Sequence, residues 1–229
     1  MFITISHQKG GVGKSTIAWN LAIEMSKMRP TIVVDLDVQN TFSQSYKLRQ
    51  KLLAKTEDKQ VLKSLQNLKL VKITSKEELV DFYKNTNRNA LHITDTGGFD
   101  HDVNRVAIAM SSLLITPVST KFYELLGLKK YEEILSALSK IMGRDIIASV
   151  VFNKINPNAK HMQDVFSFVN KSPHFSQFTS IIRQRGDFEN SPAQGMSVNE
   201  YNPEGKAARE IRAFIDEILS SAEEIKKVG

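Results

Sequence analysis

A glycine-rich segment between a predicted strand and a predicted helix constrains this chain more than any other part of it. The segment, residues 8–16, has the sequence Gln-Lys-Gly-Gly-Val-Gly-Lys-Ser-Thr. Glycines let consecutive backbone N–H groups turn inward around an anion, and the N-terminus of the next helix adds positive charge. We therefore expect a phosphate group to bind to this segment, which is called the phosphate loop below. A glycine-rich turn without a ligand is the alternative, but the strand-to-helix context favours a phosphate site.

The phosphate loop departs from the ordinary pattern G-x-x-x-x-G-K at its first position. Gln8 stands where that pattern has glycine, and a second lysine, Lys9, opens the loop. Lys14 occupies the position whose ammonium group contacts phosphates, and Ser15 occupies the position whose hydroxyl holds Mg²⁺. The sequence thus predicts a nucleotide site with one more positive charge than usual.

Composition excludes several classes of protein. The chain has no cysteine, so disulfides, thiolate metal sites and cysteine nucleophiles are excluded. Its five histidines show no metal-binding spacing, and we interpret them as ordinary core or surface residues. No stretch of 18 apolar residues and no signal-peptide pattern occurs, which predicts a cytoplasmic protein. Without a repeat or a Gly/Ser linker, the 229 residues are expected to form one domain spanning residues 1–229.

The positive charge of the chain is concentrated in one region. The formal net charge is +6, and residues 42–90 contain eleven lysines and arginines against five acidic residues, while the remainder is balanced. An ordinary solvated helical surface and a surface for nucleic acid are equally compatible with this excess. The charge pattern therefore leaves both interpretations open.

Apolar strands alternate with amphipathic helices along the chain. This alternation predicts a three-layer α/β sandwich with a mainly parallel central sheet flanked by helices. One strand is expected to stop at Pro117, and another to end at Asn153, whose amide has the donor and acceptor needed to contact adenine or to form a turn. The predicted strands are residues 2–7, 31–36, 70–73, 90–94, 113–118, 146–152 and 178–182. The predicted helices are residues 17–27, 43–68 with a break at 57–58, 76–83, 101–110, 123–142, 162–169 and a last helix from Pro203.

Acidic residues follow two of the predicted strands. Asp35 and Asp37 are two positions apart, so on a strand they would share a face, which implies an open site or a bound cation. The alternative is that one caps the next helix and the other is solvated. Asp95 leaves another strand, where it can hold Mg²⁺ from the side opposite Ser15. Gly97–Gly98 gives the following turn freedom to approach a terminal phosphate.

Four segments together resemble the ParA/MinD family of deviant Walker-type ATPases. They are residues 9–16, residues 34–37 (Val-Asp-Leu-Asp), residues 93–98 (Ile-Thr-Asp-Thr-Gly-Gly) and residues 195–201 (Gly-Met-Ser-Val-Asn-Glu-Tyr). The resemblance implies a P-loop NTPase fold of the SIMIBI type, and the partition ATPases are the most similar branch. Because the chain starts at its first strand, it resembles the short type without an N-terminal helix-turn-helix.

The resemblance also implies roles for individual residues in a Mg²⁺-dependent ATPase. It implies that Asp37 orients the attacking water and that Lys9 reaches the phosphates of a second subunit. Asp35 would support the metal shell, and Asn153 would contact adenine. The implied catalytic residues are Lys9, Lys14 and Asp37; the ATP-binding residues are Lys9, Gly10, Gly11, Val12, Gly13, Lys14, Ser15, Thr16, Asp35, Gly98 and Asn153; the metal residues are Ser15 and Asp95, the latter through water.

The family further implies a DNA partition function. ATP would produce a sandwich homodimer that binds DNA without sequence preference and associates with the nucleoid, and a ParB-like centromere-binding protein would stimulate hydrolysis. A MinD-like ATPase that cycles on membranes is the alternative, but residues 215–229 mix four acidic residues with two lysines. That composition does not favour a basic amphipathic membrane helix, so no stable membrane association is expected. Iron–sulfur carriers of the same superfamily are excluded by the absence of cysteine.

Overall fold

A computed structural model describes residues 1–52, 56–98, 100–119, 122–156 and 162–228. Lys55 of the basic region and His161 lie outside the described residues. The described strands form one sheet in the order β3-β2-β4-β1-β5-β6-β7, and all adjacent pairs are parallel. The strands are β1 (Phe2–Ile5), β2 (Thr31–Asp35), β3 (Leu68–Lys72), β4 (Leu91–Asp95), β5 (Leu113–Val118), β6 (Ala148–Ile155) and β7 (Phe175–Arg183).

Helices cover both faces of the sheet, as a parallel sheet requires. Val33 of β2 packs in the cluster that contains α1 and α10, whereas its neighbour Val34 packs with α4 and α5. The predicted three-layer α/β sandwich is confirmed. The helices are α1 (Lys14–Ser26), α2 (Thr41–Leu52), α3 (Lys59–Asn67), α4 (Lys76–Asn85), α5 (Asp102–Ala109), α6 (Phe122–Met142), α7 (Met162–Lys171), α8 (Asp187–Ala193), α9 (Val198–Tyr201) and α10 (Lys206–Val228).

The predicted break in the lysine-rich helical stretch is confirmed. α3 starts after Asp58, whose side chain accepts hydrogen bonds from the N–H groups of Gln60 and Val61. An aspartate in this position satisfies donors that the first turn of a helix leaves free, so it starts a new helix rather than continuing the old one. Two separate helices, α2 and α3, therefore carry the basic residues of this region.

β5 ends at Val118 as the predicted bounds 113–118 require, but it does not stop at Pro117, and β6 extends beyond its predicted end. β5 continues through Pro117, which lies opposite Val151 of β6. Ile115 accepts a hydrogen bond from Ser6 just beyond β1. The backbone of Pro117 faces the same side as that of Ile115, but β1 has already ended there. The missing N–H of Pro117 therefore removes no hydrogen bond between the two strands. β6 likewise continues past Asn153 to Ile155, so the prediction that the strand ends at Asn153 is wrong.

The segment before the last helix also differs from the prediction. The last helix begins at Lys206 rather than at Pro203, because a turn in which Gly205 donates to the Asn202 carbonyl precedes it. Two short helices that were not predicted, α8 and α9, come before this turn. β7 starts at Phe175, three residues before the prediction. It is an edge strand with exposed polar residues, which hides its strand pattern in the sequence.

Candidate functional site

The phosphate loop connects β1 to α1 and has the left-handed backbone that its glycines allow. Gly11 has φ 79° and Gly13 has φ 102°. A Cβ at Gly13 would lie 2.1 Å from the Nδ2 atom of Asn153, so only glycine fits there. The loop and the start of α1 border a cavity of about 230 Å³. Its lining residues are Gly10, Gly11, Gly13, Lys14, Ser15, Thr16, Asp37, Gln39, Thr41, Gly98 and Lys154.

The two lysines of the phosphate loop are held in different ways. Lys14 is buried, and its Nζ donates a hydrogen bond to the Lys9 carbonyl at 3.0 Å. The backbone N–H of Lys9 donates to Nδ1 of His7, also at 3.0 Å. Lys14 therefore lines the cavity from inside the protein, whereas Lys9 is partly buried, is not among the residues that border the cavity, and has its side chain near Gly127 of α6.

Asp95 ends β4 beside the phosphate loop. It lies opposite Ile5 of β1 and opposite Asp35 of β2, so the carboxyl ends of three neighbouring strands converge here. The Asp95 carboxylate is fully buried, and neither oxygen has a hydrogen-bond partner among the described residues. Burial raises the pKa of Asp95, and the nearby Ser15 hydroxyl opposes that rise.

A hydrated Mg²⁺ ion fits this arrangement. A buried carboxylate without partners is costly unless a cation or hydrogen-bond donors compensate it. Magnesium keeps several of its waters and accepts hard oxygen ligands such as a serine hydroxyl. The oxygens of Asp95 and Ser15 suit such an ion, and their role as metal residues stays a prediction.

Asp35 and Asp37 have different environments, and the prediction that they share a strand face is wrong. β2 ends at Asp35, so Asp37 belongs to the turn that follows. The buried Asp35 accepts hydrogen bonds from the N–H of Asp37 at 3.0 Å and from the hydroxyl of Ser43 at 2.7 Å. Burial raises the pKa of Asp35 above its usual value, and the Ser43 hydrogen bond opposes only part of that rise. Asp37 is partly exposed and lines the cavity.

The segment after β4 contacts both the phosphate loop and the Asp37 turn. A Cβ at Gly98 would lie 3.0 Å from the Cα and N atoms of Gly10, so glycine is needed for this close approach. The Cβ position of Gly97 is 3.9 Å from Oδ1 of Asp37. The structure therefore brings the Gly97–Gly98 segment, which was expected to approach a terminal phosphate, close to the phosphate loop and to the Asp37 turn.

Asn153 and Lys154 bind carbonyl groups of the phosphate loop, and Lys154 also lines the cavity. Nδ2 of Asn153 donates to the Val12 carbonyl at 2.7 Å, and Nζ of Lys154 donates to the Gly11 carbonyl at 2.9 Å. Asn153 also lines a small adjacent cavity with Thr16. A contact between Asn153 and adenine therefore stays a prediction. Lys154 was not predicted from the sequence, although it directly follows the residue expected to contact adenine.

His7 is a second residue whose role at the loop was missed. Its ring is buried and stacks on Tyr131 with centroids 5.7 Å apart, while Nδ1 accepts the Lys9 N–H. Burial and the charges of Lys14 and Lys9 lower the pKa of His7 to about 3. The imidazole is therefore neutral and can act as an acceptor that orients the first turn of the loop. The sequence does contain a signal for this role, since His7 stands immediately before the loop.

The geometry suits a ligand that carries several phosphates and a divalent cation. Backbone N–H groups, a buried lysine and a helix N-terminus meet at one side of the cavity, and carboxylates lie at the other. The family model of the CobQ/CobB/MinD/ParA nucleotide-binding domain matches residues 3–198. The chain belongs to this family. The chain has the ParA/MinD-type ATPase fold of this family, and its phosphate loop, Asp95 and the Asp37 turn are the candidate nucleotide-binding site.

Individual relatives are similar over nearly the whole chain. The uncharacterized protein BBD21 of Borreliella burgdorferi is 25% identical over 244 residues, which cover 91% of this chain and 95% of that protein. The structure of apo McdA from Cyanothece has a TM-score of 0.73 at 14% identity and covers 95% of this chain and 98% of McdA. A plasmid partition protein from Borrelia burgdorferi has a TM-score of 0.59 at 20% identity, with 96% and 98% coverage.

MinD structures are also among the similar folds. MinD of Aquifex aeolicus has a TM-score of 0.69 at 16% identity and covers 96% of each chain. The fold is therefore shared by partition proteins, by McdA and by MinD, and it does not distinguish among their functions. In the described part of the chain, no helix is long and apolar enough to cross a membrane.

Proposed function

We propose that this protein is a DNA partition ATPase that hydrolyses ATP with Mg²⁺ and forms an ATP-sandwich homodimer. The observation that carries the proposal is the two-lysine phosphate loop, in which Lys14 lines the cavity and Lys9 precedes the glycines without bordering the cavity itself. A lysine that does not border its own cavity can complete the charge stabilisation of a second subunit's phosphates. Hydrolysis would then require assembly of two copies.

The residues divide the chemistry of phosphoryl transfer among them. This reaction needs little covalent help and much stabilisation of charge on the transferred group. Lys14 binds the β and γ phosphates, Thr16 binds the α phosphate, and Lys9 reaches the partner's phosphates. Mg²⁺, held by Ser15 and through water by Asp95, would neutralise charge that develops on the phosphate oxygens.

The Asp37 turn and the Gly97–Gly98 segment serve hydrolysis and its consequences. Asp37 lines the cavity from a turn and is partly exposed, so it is suited to orient the attacking water. Gly98 approaches Gly10 closely, which makes that segment sensitive to the terminal phosphate. Loss of this phosphate would release both segments and loosen the dimer, as in other nucleotide switches.

The proposed DNA binding is supported by the net charge of +6 and by its concentration in residues 42–90. Binding without sequence preference depends on contacts with the phosphate backbone, and its affinity falls by about a thousandfold between about 50 and 200 mM salt for six or so contacts. A ParB-like protein would stimulate hydrolysis, and the ATP-bound dimer would associate with the nucleoid. These partners are expectations from the family.

A single experiment separates this proposal from a MinD-like membrane function. Binding to a duplex of random sequence and to anionic liposomes is measured side by side, without nucleotide, with ADP and with ATP, at two salt concentrations. ATP-dependent, salt-sensitive binding to DNA is the expected result. ATP-dependent binding to liposomes without any binding to DNA would instead favour the membrane function and overturn the proposal.

A further inference from the structure

Exposed lysines cluster on the two helices α2 and α3. None of these lysines makes an ion pair among the described residues. We call this set the edge surface. It consists of the four residues Lys47, Lys51, Lys59 and Lys63.

The lysines on the two helices have an unfavourable spacing. Lys47 and Lys51 are four residues apart on α2, and Lys59 and Lys63 are four apart on α3, so each pair projects from one side of its helix. Like charges at this spacing destabilise a helix, whereas opposite charges stabilise it. No acidic residue stands three or four positions from any of the four lysines. An external anion would remove this repulsion.

Most of the acidic residues of the same region lie elsewhere. Asp58 is occupied as the cap of α3. Glu77, Glu78 and Asp81 belong to α4, whose buried Leu79 packs on the opposite face of the sheet from α1. α3 contacts α1 instead, since Nδ2 of Asn67 donates to the Ser26 carbonyl at 3.0 Å. Folding therefore separates the three acids of α4 from the edge surface, while Glu57 and Asp58 stay beside Lys59 at the start of α3.

The other basic region, near the C-terminus, is partly engaged in contacts within the protein. Arg183 and Arg185 share Glu210 as their ion-pair partner, at 3.0 and 2.6 Å. Arg212 donates to the Pro203 carbonyl at 2.9 Å. Two further exposed cations, Lys206 and Arg209, lie on α10. Three of these five side chains are thus held by intramolecular contacts, whereas the edge lysines form no ion pair among the described residues.

α2 connects the edge surface to the nucleotide site. The helix begins at Thr41, which lines the cavity, directly after the turn that contains Asp37. The hydroxyl of Ser43 donates to Asp35 at 2.7 Å. A change in the position of the Asp37 turn would therefore act on the first turn of the helix that carries Lys47 and Lys51.

We infer that the edge surface binds the phosphate backbone of duplex DNA without contacting base edges, and that α2 makes this binding depend on the nucleotide. The inference rests on the proposed ATP-dependent binding of DNA and specifies the surface and the connection. Lysine is a compact point charge on a flexible stem, which suits contacts with phosphates at variable positions.

Charge variants test the surface. Lys47→Ala/Lys51→Ala and Lys59→Ala/Lys63→Ala are compared with the matched pair Lys206→Ala/Arg209→Ala on α10, by fluorescence anisotropy with a random-sequence duplex, ATP and several salt concentrations. Each edge pair is expected to weaken binding about tenfold or more and to reduce the slope of log K against log salt by about 2. The α10 pair should change the affinity less than twofold. Nucleotide affinity and circular dichroism serve as controls for folding.

The outcomes distinguish the surface from the function. If the edge variants bind DNA like the wild type and the α10 pair does not, the inference about the surface is overturned while DNA binding stands. If the wild-type protein does not bind DNA with ATP even at low salt, the proposed function itself fails. All four edge lysines are exposed, so their replacement is not expected to affect folding.

A separate variant tests the connection through α2. Ser43→Ala removes the hydrogen bond to Asp35, and Ser45→Ala on the same helix is the matched control. Ser43→Ala is expected to reduce the ratio of DNA affinities with and without ATP at least threefold, while the affinity without nucleotide stays the same. An unchanged ratio in Ser43→Ala would overturn the connection and leave the surface in place.

Discussion

At the scale of single residues, the carbonyl groups of the phosphate loop have defined side-chain partners. The N–H groups of such a loop face the anion, so its carbonyls face away and need donors. Asn153 and Lys154 supply these donors to Val12 and Gly11. Lys154 has φ 54°, which is uncommon outside glycine and is found where the surrounding structure holds the backbone. Both residues are therefore expected to orient the loop for phosphate binding.

Replacing Lys154 by methionine tests this role. The Lys154→Met variant keeps most of the side-chain volume but loses the charged donor to Gly11, and a hydrogen bond of this kind is worth about 1.5–3 kcal/mol. We expect ADP to bind roughly tenfold more weakly by isothermal titration calorimetry. Lys171→Met, at the exposed end of α7, is the control and should bind ADP normally. Unaltered affinity in Lys154→Met would show that the donor does not orient the loop.

The buried His7 predicts a pH dependence of stability. The pKa of His7 is lowered to about 3 in the folded protein, against about 6.5 in the unfolded chain, so between these values the unfolded state binds more protons. Its contribution is therefore fully present above about pH 6.5 and is lost as the pH falls towards 3. Urea unfolding at pH 7 and pH 5 should show a smaller decrease in the His7→Asn variant than in the wild type, by about 1–2 kcal/mol. Equal decreases would contradict a neutral buried imidazole.

At the scale of elements, α2 is fixed at its far end by a buried ion pair. The guanidinium of Arg49 is fully buried and contacts both carboxylate oxygens of Glu200, at 2.8 and 3.0 Å, and also the Gly195 carbonyl. Burial alone would raise the pKa of Glu200, but the hydrogen bond and charge of Arg49 lower it below its usual value. Ser197 and Glu200 also form the capping box of α9. The pair therefore joins α2 to the α8–α9 segment.

Breaking this pair should strongly destabilise the protein. Arg49→Met leaves the Glu200 carboxylate buried without its main partner, although Lys27 remains 3.5 Å away. Removal of one partner of a buried pair costs about 3–5 kcal/mol. The free energy of unfolding, measured with urea, is therefore expected to fall by about that amount. The double variant Arg49→Met/Glu200→Gln should recover part of the loss, because the uncompensated charge is removed. A single variant as stable as the wild type would show that α2 is held by other contacts.

At the scale of the whole molecule, the sheet places the nucleotide site where three strands end side by side. β2, β4 and β1 are adjacent and parallel, so Asp35, Asp95 and the phosphate loop meet at one edge. Parallel sheets bind ligands at this edge because helix N-termini and strand carboxyl ends converge there. The role proposed for Lys9 then makes a second copy of the chain part of the proposed site.

The dimer is tested with two variants. Asp37→Ala should prevent hydrolysis and allow ATP to shift the protein to the dimer position in gel filtration, whereas ADP should leave it monomeric. Lys9→Ala should keep nucleotide affinity within a few-fold of the wild type and lose ATP turnover by about a hundredfold or more, as expected for loss of a charged group that acts in the transition state. A monomeric Asp37→Ala protein with ATP, or normal turnover in Lys9→Ala, would contradict the sandwich dimer.

The sequence by itself determined the phosphate loop, the buried strands and the boundary between α2 and α3. These features depend on local rules: glycine freedom, apolar runs and helix capping act over a few residues. Asp95 could be predicted as a metal residue from the same local rules, since it directly follows the apolar strand predicted at residues 90–94. Local patterns also predicted the three-layer fold, because alternating strands and helices leave few ways to bury both faces of the sheet.

Only the tertiary structure decided which polar residues become partners. Arg49 belongs to a lysine-rich helix and has the sequence context of a solvated cation, yet it is buried against a glutamate 151 residues away. Asn153 and Lys154 lie about 140 residues from the carbonyls they bind, and the acids of α4 are carried to the opposite face from the edge surface. Such pairs form when folding brings distant segments together, and the free energy that selects them comes from burial and hydrogen bonding in the assembled core. A local sequence pattern contains no information about that assembly.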